Sequence, residues 1–149
     1  MPRCINFNYS IKTMKKKNLI NYWDNYYDNI KNFSESSFAR FTLKYLGKKP
    51  GGKKIIDIGC GNGRDSLYFY KQKLDVMGID ISKNVIKKNL NYSKPKLKFV
   101  NLDIGKKSIS KKFDFIYSRF FLHAINEKNE NKLLKLINKI KKKNTILFL

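Results

Sequence analysis

Apolar positions in the first third of the chain recur at helical spacing. From Asn18 to Phe33 they are Leu19, Tyr22, Trp23, Tyr26, Tyr27, Ile30 and Phe33. Steps of three and four residues predict an amphipathic helix. Ser34-Glu35-Ser36-Ser37 interrupts the stripe and supplies cap residues for a second helix. That helix carries Phe38, Phe41, Tyr45 and Leu46 on one side and stops at Gly47. Lys48 to Lys54, with Pro50-Gly51-Gly52 inside it, reads as a linker.

Beyond the linker the pattern changes to short apolar runs separated by helical stretches. Strands are predicted at Lys54–Ile58, Asp75–Asp80, Leu97–Asp103, Phe113–Ser118 and Thr145–Leu149. Helices are predicted at Asp65–Lys73, after Ser82 with Val85, Ile86 and Leu90, and at Glu127–Lys143. The last of these would turn Leu133, Leu134, Leu136, Ile137 and Ile140 inward. Strands alternating with helices imply right-handed crossovers and a parallel sheet, hence an α/β fold. Ligands of such sheets sit at the carboxyl ends of the strands.

Three aspartates fall at those ends, Asp57, Asp80 and Asp103, spaced 23 residues apart. The chain has only eight aspartates, so three at the ligand edge are informative. Between the first predicted strand and its helix lies Asp57-Ile58-Gly59-Cys60-Gly61-Asn62-Gly63-Arg64-Asp65. Gly59 and Gly61 match the first two glycines of a dinucleotide loop, but the third, Gly63, comes one residue early.

An acidic residue followed by Gly-x-Gly-x-Gly at a strand-to-helix turn resembles motif I of the class I S-adenosylmethionine-dependent methyltransferases. The resemblance implies a Rossmann-like three-layer sandwich with a mostly parallel sheet and an N-terminal helical cap. It implies S-adenosyl-L-methionine as cofactor. Gly59, Cys60, Gly61 and Gly63 would bring the backbone close to it, and Asp57 would counter its positive charge. Asp80, with Ile81, would take the ribose hydroxyls, and Asp103, with Ile104, the adenine. The segment Ser118-Arg119-Phe120-Phe121-Leu122-His123 resembles the loop after the family's fourth strand, where Ser118 and Arg119 would flank the methionine part. Arg119 is open to two readings, a contact to a carboxylate or a surface position. His123, the single histidine, is either a base toward the acceptor or a packing residue at the last helix. Asp65, at a helix start, reads as structural. Tyr22, Trp23, Tyr26, Phe38 and Arg40 are candidates for the acceptor wall, with ordinary core packing as the alternative.

The words around Gly59 and Ser118 are closer to small-molecule methyltransferases than to nucleic-acid ones. Amino-methylating nucleic-acid enzymes carry Asn/Asp-Pro-Pro-aromatic where this chain has Ser-Arg-Phe-Phe. No cysteine follows Cys60 to serve as a cytosine-C5 nucleophile. The implied reaction is methylation of an oxygen, nitrogen or sulfur of a small molecule. A non-catalytic protein that keeps the fold, or a nucleic-acid methyltransferase, are the alternatives.

Composition adjusts this picture in three ways. The chain has 149 residues, enough for one domain, and 42% of them are hydrophobic, which suits a packed core. Its net charge is +22, but only four of its 33 basic residues are arginine. Lysine with abundant Asn and Ile reads as an AT-rich coding background with a solvated basic surface, the alternative being a selected polyanion-binding face, and weak nonspecific binding to nucleic acid or anionic lipid is expected under either. Cys4 and Cys60 form no metal-spaced pair, no export signal or spanning segment is present, and a cytoplasmic protein is expected. Residues 1–17 read as a disordered or extended N-terminus, 18–47 as the helical cap and 53–149 as the cofactor-binding domain. The resemblance runs from about residue 18 to residue 149 and stops on the fifth of seven strands, which suggests truncation. A strand left at the edge invites a dimer or a partner chain.

Overall fold

The computed structural model describes residues 13–30, 33–47 and 50–149. Two helices lead, α1 (Lys16–Asn29) and α2 (Ser37–Leu46). Then β1 (Lys54–Ile58), α3 (Arg64–Lys71), β2 (Asp75–Asp80), α4 (Lys83–Asn89) and β3 (Leu97–Asn101) follow. The chain continues through β4 (Phe113–Tyr117), α5 (Glu127–Ile140) and β5 (Lys141–Phe148). The sheet order is β3-β2-β1-β4-β5, and all four pairings are parallel. Among the described residues, no helix is long and apolar enough to cross a membrane.

Side-chain alternation on the strands divides the core into two layers. Ile55 of β1 and Phe115 and Tyr117 of β4 pack with Ala39 of α2 and Phe69 of α3. Ile56, Ile58 and Ile116 face the other way, onto Leu133, Leu136, Ile137 and Ile140 of α5. Helices therefore cover both sheet faces, giving the Rossmann-like sandwich.

Several boundaries differ from expectation. α1 starts at Lys16 rather than Asn18 and ends at Asn29, because Ile30 is extended. The remainder of the expected N-terminal extension, residues 1–12, lies outside the described residues. Leu134 of α5 is 48% exposed: a four-turn helix on one sheet face buries a narrow stripe, and Leu134 lies outside it. On α2 Ala39 and Thr42 are buried and the expected Phe38 and Leu46 pack on the core beside them, while Phe41 and Tyr45 project outward. Small residues let α2 approach α3 closely, and the two aromatics are left at the margin. β3 ends at Asn101, two residues early, and the Leu102 N–H donates back to Asp80 O (2.9 Å). Leu90 falls in a short 3-10 turn, not in α4, and is exposed.

The junction of α5 and β5 departs most from the pattern. The helix stops at Ile140, the last core-facing residue, and the strand starts at once with Lys141. Phe113 aligns with Lys141 but Phe115 aligns with Ile146, so the start of β5 bulges out. Thr145 pins the bulge: its Oγ1 accepts from Lys142 N–H and donates to Phe113 O, both at 2.7 Å.

One buried carboxylate joins the cap to the sheet. Asp65, in the first turn of α3, accepts from Ser36 N–H (2.7 Å), Ser36 Oγ (2.8 Å) and Tyr117 Oη (2.7 Å). Arg119 Nε stands 3.5 Å away. Ser36 at the same time caps α2 by accepting from Ala39 N–H. Asp65 is thus a tie between α2, α3 and β4 as well as a helix-start charge. Replacing Asp65 with Ala strands three donors in a buried site, so the D65A variant should lose about 3 kcal/mol in urea denaturation. Tyr117→Phe, which removes one donor and leaves the carboxylate served by the others, should lose about 1 kcal/mol in the same measurement.

Candidate functional site

The loop leaving β1 is fixed to the end of β2. Gly59 N–H and Cys60 N–H both donate to Ile79 O, at 2.9 and 3.0 Å. Gly61 has φ +52°, and a Cβ there would lie 2.1 Å from Tyr27 Oη. A Cβ on Gly59 would lie 2.5 Å from the Phe121 ring. Both positions have a positive φ that favours glycine, and the Tyr27 and Phe121 side chains pack directly onto their backbone.

Asp80 ends β2 beside this loop. Its Oδ2 accepts from Gly61 N–H (3.0 Å) and its Oδ1 from Ser82 N–H (2.9 Å). Burial pushes its carboxyl above the usual range, while those two amides act against the shift. Asn101 Nδ2 donates to Asp80 O and Ile81 O, holding the strand exit in place. Asn89 Nδ2 donates to Gly61 O at 2.7 Å from the opposite side. Asn89 and Asn101 were not singled out in the sequence. In a chain so rich in asparagine, residue type carried no signal.

A cavity of about 620 Å³ opens above this edge. Its roof is α1, with Tyr22, Trp23, Tyr26 and Tyr27 turned toward the strand ends. Trp23 sits edge-on to Tyr22 and Tyr26 and stacked with Tyr27, ring centres 5.1, 5.5 and 6.0 Å apart. Burial, and next the Asp80 charge, raise the Tyr27 hydroxyl above its ordinary value, so it stays protonated. Polar contacts hold the roof down. Lys16 Nζ pairs with Asp103 Oδ2 (2.5 Å), Asp24 accepts from Ser82 Oγ and from Asn84 Nδ2 (2.8 Å), and Asp28 pairs with Lys88.

Gly59, Asp80, Ile81, Asp103, Ile104, Arg119 and His123 all line the cavity. Asp103 also accepts from Gly105 N–H (2.9 Å). Partial burial pushes its carboxyl up, but Lys16 and the Gly105 amide outweigh this and hold it below the usual range. Asp57 and Cys60 lie deeper, in a small recess that Gly59, Asp65, Tyr27 and Arg119 also border. Gly63 starts α3 against Phe99. Ser118 lies under the site, donating its N–H to Phe148 O (2.8 Å) and its Oγ to Ile58 O (3.0 Å). Phe38 and Arg40 do not wall the cavity. Phe38 stacks on Tyr117 at 5.2 Å in the core, and Arg40 pairs with Glu35 at the surface.

Arg119 reaches both regions. It pairs with Asp65 and lies 4.6 Å from the centre of the Phe120 ring. Phe120 has φ +58°, a costly backbone for a side chain of that size, and is exposed. Its ring lies 6.3 Å from that of His123, which is exposed on the same rim. Among the described residues, no group of three His, Cys, Asp or Glu is placed to hold a metal.

The family profile of methyltransferase domains matches residues 19–149. This chain belongs to that family. Its fold is the Rossmann-like fold of the class I S-adenosylmethionine-dependent methyltransferases. The methyltransferase domain superposes on the TehB-like S-adenosylmethionine-dependent methyltransferase of Corynebacterium glutamicum with TM-score 0.65 and 26% identity. That alignment covers 88% of this chain and 69% of the other. The glycopeptide N-methyltransferase MtfA, solved with S-adenosylmethionine, aligns with TM-score 0.65 at 16% identity, over 76% of this chain and 53% of its own. A Geobacillus sp. (strain WCH70) protein assigned to the methyltransferases is 35% identical over 69 residues, 44% of this chain. The match spans about a quarter, 26%, of that curated relative.

The recess contains an acid with unusual titration. Burial pushes Asp57 up to about 7; the hydrogen bond from Ser66 Oγ (2.6 Å) opposes this, and the charges of Asp65 and Asp80 add to it. The folded state therefore holds a proton on Asp57 that the unfolded chain releases near pH 4. This contribution is fully present below pH 4 and is lost as pH rises through about 7. Relative to Asp57→Asn, wild-type stability should fall by up to about 4 kcal/mol between pH 4 and pH 7.5. Urea denaturation of both proteins across that range reads the difference, and parallel curves would refute the assignment.

Proposed function

We propose that this methyltransferase domain binds S-adenosylmethionine along the carboxyl edge of the sheet and methylates a small-molecule acceptor beneath α1. The observation that carries the reading is the Asp80 carboxylate, half-buried at a strand end, anchored by Gly61 N–H and facing the cavity. A carboxylate has about four acceptor sites, and two are taken by Gly61 and Ser82, so capacity remains for a ribose diol.

The other residues present fit the same cofactor. The recess offers Arg119 for a carboxylate and Asp65 for an ammonium, beside the protonated Asp57. Ile81, Leu102, Ile104 and Phe121 give apolar walls, and Asp103 an acceptor, for a flat base. When bound, the cofactor supplies an electrophilic methyl group on a sulfonium. The domain's own contribution is positional. α1 and the Phe120 loop exclude water, and the aromatic roof presents ring faces that favour a cationic centre. His123, on the rim, takes the proton that an acceptor hydroxyl, amine or thiol gives up. The cavity lies in the usual range of small-molecule sites, about 300–1,000 Å³, which suits a compact acceptor rather than a folded one.

Calorimetry with S-adenosylmethionine and its demethylated product tests the cofactor. Wild type should bind both, and Gly61→Leu and Asp80→Ala should each weaken binding at least about 100-fold. Binding that survives both substitutions would sink the reading. Transfer of a labelled methyl group to a panel of small acceptors then tests activity. His123→Gln should slow turnover about 100-fold while leaving cofactor affinity unchanged. Cofactor binding without transfer to any acceptor would favour a non-catalytic role.

A further inference from the structure

The edge of the sheet opposite the cavity carries a different chemistry. Because all strands are parallel, their amino ends gather there. Lysine stands at each one. Lys53 precedes β1, Lys73 precedes β2, Lys96 precedes β3 and Lys112 precedes β4, while β5 opens on Lys141; all five are exposed. Lys54, Lys94, Lys111 and Lys143 add to the row.

Acids do not balance it. Asp75 and Asp114 are the two carboxylates in the strands at this end, and Asp114 is engaged by Lys142 Nζ (2.6 Å) and Lys54 N–H (2.8 Å). Among the described residues, none of the five strand-entry lysines has a salt-bridge partner. Asp57, Asp80 and Asp103 all lie at the other edge. A uniform excess of lysine explains the net charge but not this division.

Adjacent strands lie about 4.8 Å apart, so five strand ends set a row about 20 Å long. The last turns of α2, α3 and α5 add exposed Lys44, Lys71 and Lys139 beside it, and the row is the spine of a basic band long enough to follow a chain of phosphates. Exposed aromatics flank one end. Tyr92, in the turn leading to β3, pairs with Phe33, ring centres 6.3 Å apart, and the two are 40% and 52% exposed. Cations beside open ring faces are the elements of a single-strand site, where phosphates meet lysine and bases stack.

We propose that the amino-terminal edge of the sheet binds single-stranded nucleic acid through its phosphates, without sequence preference, at a site remote from the cavity. This binding is independent of methyl transfer.

The test is anisotropy of a labelled oligo-dT titrated with the full chain at several salt concentrations. Six lysines at the edge are changed together, K53Q/K73Q/K96Q/K111Q/K141Q/K143Q. A control changes six exposed lysines elsewhere, K17Q/K83Q/K87Q/K107Q/K128Q/K135Q, for the same loss of charge. The edge variant should bind at least about tenfold more weakly at 0.1 M salt, with the log–log salt slope reduced by about 0.7 for each phosphate no longer neutralised. The control should stay within about twofold. Phe33→Ala with Tyr92→Ala should weaken single-strand binding several-fold and leave duplex binding unchanged. Lysine acetylation of wild type with and without oligo-dT reads the same edge without any variant, and Lys53, Lys96 and Lys141 should be protected. Equal losses in the edge and control variants would overturn the proposal. So would no oligonucleotide binding at 0.1 M salt alongside binding to phosphatidylcholine–phosphatidylserine vesicles.

Discussion

Parallel pairing of all five strands is the constraint from which the rest of the molecule follows. Each strand must return over the sheet before the next begins, so helices are obliged to cover both faces. Each strand also leaves the sheet at the same edge. Residues more than twenty positions apart, Asp57, Asp80 and Asp103, are thereby brought to one line. Alternation along the strand then sorts their neighbours. Ile56 and Ile58 face α5, while Asp57 points with Ile55 toward α3, where Ser66 meets it. The glycine loop has no independent position in this scheme. It is held to β2 through Ile79 O, to Asp80 through Gly61 N–H and to α4 through Asn89.

Electrostatics at the inner end of the cavity depend on the same convergence. Asp57, Asp65 and Asp80 are drawn together by two strand-to-helix turns, and Arg119 faces them, with Arg64 Nε 3.9 Å from Asp65. Asp65 is satisfied by hydrogen bonds from Ser36 and Tyr117. Asp57 has one hydroxyl partner and deep burial, so its proton is retained near neutrality. Two acids flanking one turn thus differ in how their oxygens are served, Asp65 by several donors and Asp57 by one.

The parts of the structure that were legible in the sequence are those with a short-range cause. β1 and β2 fall where the apolar runs place them, and β4 stops one residue short of its run, because period and flanking residues decide strands locally. The strand-end aspartates stood out because acids are rare in a lysine background. What was hidden depends on partners far away in the chain. α2 turns Ala39 and Thr42 inward because α3 lies close, which its own aromatic stripe does not report. Asp65 looks like a helix-start charge until Ser36 and Tyr117 are seen to converge on it. The α5–β5 junction has no turn residue to mark it, since Lys141-Lys142-Lys143 serves both neighbours equally and only pairing with Phe113 decides. Tyr27 belongs visibly to a helical stripe, but its contact with Gly61 is a tertiary fact.

α1 shapes the cavity yet contributes no fully buried side chain. It is fastened mainly by polar contacts at its rim, and exposed ion pairs of this kind contribute roughly 0–1 kcal/mol each. The sheet beneath is secured by a continuous apolar interior. The two parts therefore differ in what secures them, and salt weakens the rim contacts of the roof while leaving the apolar interior of the sheet untouched.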